Sequence, residues 1–154
     1  MTGSRTRSVI RILACAMTAL WFVMAVSGCG PNRQQQDDAL AGKYRDVTRS
    51  IKNAATVAAD YRTFTGMGAS GNITITASTD DRQAMQDIMR EALPAIARVE
   101  NPQDQASIVI RVVAPDGFSP VIPDALGFKG DGSGAGTLAA FRAFVDGRGM
   151  KKDG

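Results

Sequence analysis

From Leu40 onward, apolar side chains recur at Leu40, Tyr44, Val47 and Ile51, a rhythm of four, three and four that lines them along one stripe of a helix. Asp37 or Asp38 stands where a capping carboxylate would meet the first turn. At about 100° per residue, Arg45, Arg49 and Lys52 gather on the opposite face, which suits either solvent or the anionic headgroups of a membrane. The rhythm can run on through Ala54 and Ala58, but Val57, Ala59 and Tyr61 also alternate with Asp60 and Arg62 in a strand-like pattern. Asn72 to Ser78 alternates cleanly, with Ile73, Ile75 and Ala77 on one face. A second helix, Asp81 to Val99, starts at a capping-box-like Asp80 and Gln83 and carries Met85, Ile88, Ala92, Ile96 and Val99 inward. Pro94 lacks an amide donor and crowds the preceding turn, so a kink or an early end is expected near Leu93. Ser107 to Ala114 is almost continuously apolar and reads as the most buried strand.

These elements assemble in one coherent way if the first helix stops near Asn53, because the strand that follows then pairs with the one from Asn72 as a hairpin. The expected fold is α+β, a small mixed three-stranded sheet packed by two helices in the order α-β-β-α-β over residues 39–115. Gly66-Met67-Gly68-Ala69-Ser70-Gly71 spells a dinucleotide fingerprint, but a strand follows it where that chemistry needs a helix, so a hairpin loop is the better reading. Beyond Ala114 lies an extension, residues 116–154. Pro115, Pro120 and Pro123 mark irregular chain, and Gly130 to Gly136 reads as a flexible linker. A short helix over 137–146 carries Leu138, Phe141 and Val145, stops at Gly147, and either covers the sheet or docks a partner.

The start of the chain follows another logic. Residues 1–11 hold Arg5, Arg7 and Arg11 with no acid, Ile12 to Val26 is uncharged, and Ser27 and Gly28 precede Cys29. This is the layout of a signal peptide over residues 1–28. As a membrane span, Ile12 to Val26 would reach only about 23 Å against a hydrocarbon core of about 30 Å. Val26-Ser27-Gly28-Cys29 resembles the lipobox of bacterial lipoproteins. The resemblance implies cleavage after Gly28, diacylglyceryl attachment to Cys29, and a cell-membrane protein anchored on the extracytoplasmic face. Two acyl chains on one residue meet the condition for stable anchoring. Cys15 would leave with the signal, so the remaining chain forms no internal disulfide. Residues 29–38 are polar and read as a disordered tether.

Composition narrows the function. Of 18 basic residues, three lie in the signal, leaving basic and acidic side chains equal in number, which excludes the cationic footprint of a nucleic-acid binder. The absence of histidine removes the Ser-His triad and most zinc sites. The Gly130 to Gly136 run lacks a Gly-Lys-Ser/Thr ending and has a single acid, so neither a phosphate loop nor a calcium loop is expected, and no metal or cofactor is called for. The chain is similar to small membrane lipoproteins of actinobacteria, and its element order resembles that of BON domains of bacterial envelope proteins. That resemblance implies a non-enzymatic domain binding phospholipid or an envelope protein partner. The alternative is a small envelope enzyme using carboxylates, for which Asp60, Asp116, Asp124 and Asp131 are available. Trp21 is the only tryptophan and lies in the expected signal. Protein purified from its native membrane should therefore emit from Tyr44 and Tyr61 alone, and a tryptophan band would show that cleavage had not occurred.

Overall fold

The computed structural model describes residues 32–148; the expected signal over residues 1–28, Cys29 and the end of the chain lie outside the described residues. Helix α1 spans Arg33–Arg49, strands β1 and β2 span Ala54–Phe64 and Gly68–Ala77, helix α2 spans Arg82–Ala97 and strand β3 spans Ser107–Val113. A 3₁₀ turn at Pro123–Leu126, strand β4 at Ala135–Thr137, helix α3 at Leu138–Ala143 and a looser turn at Phe144–Arg148 follow. The fold is of the mixed α+β kind, with three helices and a sheet of four strands rather than three among the described residues. The strands lie in chain order; β1–β2 and β3–β4 are antiparallel and β2–β3 is parallel. Helix α2 makes the crossover that a parallel pair requires.

Alternation decides which face of the sheet is buried. Tyr61, Ile73, Ile75, Ile108, Ile110 and Val112 point inward against Tyr44 of α1, Met85, Ile88, Met89 and Leu93 of α2, and Leu138 and Phe141 of α3. Asp60, Arg62, Ser70, Asn72 and Arg111 point the other way and are exposed. Strand β3 is therefore buried on one face only: Val109 and Val113, which made it read as wholly internal, are half-buried on the polar side.

Helix α1 begins at Arg33, within the segment expected as tether, and Asp37 sits inside it instead of capping it. Its carboxylate reaches across to β1, where Oδ2 accepts the Thr63 amide at 2.9 Å and Oδ1 accepts the Thr63 hydroxyl at 2.8 Å. The inward stripe also turns by one position. Val47 is 37% exposed while Thr48 is buried, because the 3.6-residue pitch carries the stripe from Tyr44 to Thr48. The Thr48 hydroxyl is satisfied at 2.8 Å by the Tyr44 carbonyl. The helix stops at Arg49, before the expected Asn53, which instead turns the chain into β1 in the left-handed conformation that asparagine tolerates.

Asp81, not the expected Asp80, caps α2 by accepting the Gln83 amide at 3.0 Å. The helix passes through Pro94 to Ala97, so it does not end near Leu93. The carbonyls at its far end have a dedicated donor: Arg142 of α3 gives Nε to Ala97 at 2.8 Å and Nη2 to Val99 at 2.9 Å, and pairs with Asp104 through Nη1.

The end of the glycine run is packed structure as well, while Gly130 to Ser133 are exposed. Gly134 accepts the Ile110 amide at 3.0 Å, and Ala135–Thr137 then pairs with β3. A Cβ on Gly134 would stand 2.8 Å from the Ile110 carbonyl oxygen, and its φ of +81° is one that side chains resist. Thr137 caps α3 by accepting the Ala140 amide at 3.1 Å, and Leu138 and Phe141 complete the core. Helix α3 covers the sheet; it is not on a free leash. Replacing Gly134 with Ala should cost about 2–3 kcal/mol in urea unfolding, since it combines overpacking with backbone strain. Gly132→Ala, also at positive φ (+80°) but with nothing within 4 Å, should lose only the strain contribution of about 1–2 kcal/mol.

Candidate functional site

The first turns of α1, the end of β1 and the loop after α2 enclose an open groove of about 480 Å³ lined by Arg33, Asp37, Lys43, Tyr61, Glu100 and Gln103. A neighbouring hollow of about 510 Å³ extends it along Asp38, Arg62 and Phe64. Behind the Tyr61 ring lies a buried polar knot. Asn101 Nδ2 donates to Tyr44 Oη at 3.1 Å, and its Oδ1 accepts the Tyr61 hydroxyl at 3.2 Å and the Gln103 amide at 2.8 Å. The two rings lie 6.2 Å apart. Burial raises both phenol pKa values above their ordinary range, and the hydrogen bond to Asn101 offsets part of that rise.

The chemistry of this arrangement follows from its partners. The tyrosine hydroxyls are held protonated and committed to Asn101, and both Asp37 oxygens are committed to Thr63. What the groove presents outward is charge of both signs, Arg33 and Lys43 against Glu100, on exposed side chains.

Arg45 and Arg49 are exposed along α1, whereas Lys52 lies past the helix end in the turn before Asn53. Arg49 also borders a separate depression of about 230 Å³ beside Ala54 to Val57, at the opposite end of α1 from the groove. The four aspartates stand on four segments. Asp60 lies on the uncovered sheet face opposite Asn72. Asp116 accepts the Phe118 amide at 2.9 Å in the loop after β3. Asp131 accepts the hydroxyl and the amide of Ser133, bonds that hold its carboxyl below the usual range. Asp124 lies in the 3₁₀ turn, with a buried Oδ2 that has no hydrogen-bond partner. Among the described residues no cluster of three or more His, Cys, Asp or Glu is placed to hold a metal ion, and no helix is long and apolar enough to cross a membrane.

Three features were not read from the sequence: the Asn101 knot, the Asp37–Thr63 contact, and an apolar hairpin tip where Phe64 is 43% and Met67 82% exposed. Only the last had a local signal, since polar residues are usual beside a turn such as Thr65-Gly66. The tyrosine knot predicts an alkaline transition. Below about pH 10 both folded and unfolded chains keep their phenol protons; above it the unfolded chain sheds them first, so stability falls as pH rises. Tyrosinate absorbance should appear together with loss of helical circular dichroism, and ionisation without unfolding would contradict the burial. Asn101→Leu, which strands two hydroxyls, should cost about 2–3 kcal/mol in denaturant unfolding. Neither a protein-family model nor a curated protein sequence matches this chain.

Proposed function

We propose that this chain is a lipid-anchored protein on the extracytoplasmic face of the cell membrane, whose domain binds a partner protein or lipid surface and catalyses no reaction. The observation that carries the reading is Val26-Ser27-Gly28-Cys29 at the end of an uncharged stretch behind three arginines. Acyl chains on Cys29 contribute about 0.8 kcal/mol per buried methylene, enough in pairs to keep the protein on the bilayer. The likeness of the α-β-β-α-β order to BON domains points in the same direction.

The domain's ionisable groups support a binding role. Asp37, Tyr44 and Tyr61 are used internally, Asp116 and Asp131 close their own turns, and the groove is lined by exposed charges of both signs. The unpartnered Asp124 oxygen favours the second reading, a carboxylate enzyme. Such an enzyme needs a second acid facing the first across a cleft, with the two environments pushing their pKa values apart. Asp60 lies exposed on the uncovered sheet face, and Asp116 and Asp131 are bonded to the amides of their own turns.

Cys29→Ser tests the anchor. The variant should lose the diacylglyceryl mass and leave the membrane fraction or accumulate unprocessed; unchanged processing and retention would overturn the reading. Proximity crosslinking of the native protein in intact envelopes should capture neighbours at the bilayer surface, and capture confined to bulk periplasmic or secreted proteins would count against it.

A further inference from the structure

We infer that the tip of the β1–β2 hairpin, Phe64 to Met67, is a membrane-contact element that enters the lipid interface of an anionic bilayer while Cys29 holds the chain there; the inference rests on the anchored reading above. The tip is apolar where hairpin tips are ordinarily polar, with Met67 82% and Phe64 43% exposed. It is also well formed. The Met67 amide donates to the Phe64 carbonyl at 3.3 Å, and Gly66 supplies the positive φ (75°) that the second central residue of a type II turn requires. The side chains are thus presented outward on a defined scaffold.

Chain length then decides what they meet. Arg33, the first residue of α1, donates Nη1 to the Thr65 hydroxyl at 2.5 Å, so the start of the helix lies against the tip. Three residues separate Arg33 from Cys29, and fully extended chain covers at most about 14 Å between them. An acylated Cys29 therefore confines the tip to the immediate neighbourhood of the lipid. Phe64 and Met67 suit the boundary of headgroup and acyl chain, and the exposed Arg33 and Arg62 beside them, which share their hollow with Asp37 and Asp38, offer donors to headgroup phosphates.

Two other surfaces compete. Phe118 is 71% exposed, but it follows β3, which runs parallel to β2; since β2 starts at the tip, Phe118 lies beyond the remote end of the sheet. Arg45, Arg49 and Lys52 occupy the later half of α1 and the turn after it, and a helix of 17 residues is about 25 Å long. They would reach lipid only if α1 lay flat on the bilayer, which is a different orientation of the domain.

A single introduced tryptophan distinguishes these orientations, because the chain after cleavage has none. Met67→Trp, Val47→Trp and Phe118→Trp each replace an exposed apolar residue, so all three should fold, and the same probe samples tip, helix and remote loop. The acylated proteins are reconstituted into phosphatidylglycerol-containing vesicles with brominated acyl chains. Met67→Trp emission should shift to the blue and fall about twofold, as expected for a side chain seated at the acyl boundary, while the other two remain water-like. A water-like Met67→Trp signal, whether alone or alongside quenching of Val47→Trp, would overturn the inference. Mass spectrometry of the same samples reads Cys29 separately. If it is unmodified, the anchored reading fails, and coupling Cys29 to a maleimide lipid lets the tip be tested all the same.

Discussion

One amide side chain joins three parts of this fold. Asn101, in the connection from α2 to β3, takes a hydrogen bond from Tyr61 of β1 and gives one to Tyr44 of α1. A buried hydroxyl without a partner costs about 1–3 kcal/mol, so the two rings can serve as core only while the amide stands between them. Seating Tyr44 seats α1 along β1, which brings Asp37 to the Thr63 amide and Arg33 to Thr65. The groove and the position of the hairpin tip both follow from that alignment. The knot thus sets both stability and the geometry of this end of the domain.

The second half of the chain is secured in a comparable way from the other side. Arg142 supplies donors to the carbonyls of Ala97 and Val99 at the end of α2, while the Leu138 and Ala139 amides bond to the carbonyls of Ala106 and Asp104. Charge-assisted bonds of this kind are stronger than neutral ones, and here they close a helix that Pro94 would otherwise weaken. Phe141 packs behind Gly136, with Phe128 at 4.7 Å. A methyl group on Gly136 would fall within 2.8–2.9 Å of those two rings, so the small residue is what lets β4 lie flat against α3. The region after Ala114 therefore completes the core and the sheet.

The core also determines what the surface has left to offer. Buried hydroxyls and Asp37 spend their hydrogen-bonding capacity on holding elements together, leaving exposed charge on the groove and sheet and apolar side chains at the tip. Such a surface can associate with another surface through complementary charge and apolar contact. On the proposed anchored reading, proximity to the bilayer makes even a small contact effective, because the lipid supplies the local concentration that the domain's own contact area does not.

The expected cap at Asp80 falls one residue early, Gly68 to Gly71 of the expected loop belong to β2, and the strand that completes the hairpin rested on the pairing argument, but local periodicity was enough to place α2, the middle of α1, β2 from Asn72 and β3. Each of these depends on residues a few positions apart. Tertiary structure alone decided the start of α1, which relies on a contact 26 residues away, and the Asn101 knot, which spans 57. It also decided the exchange of Val47 for Thr48 and the pairing of the end of the glycine run with β3 as β4. The physical reason is the same in each case. A residue's spacing states which conformation its own turn or strand favours, whereas the partner for a buried hydroxyl, a strand-edge amide or a helix-end carbonyl exists only once distant segments have packed together.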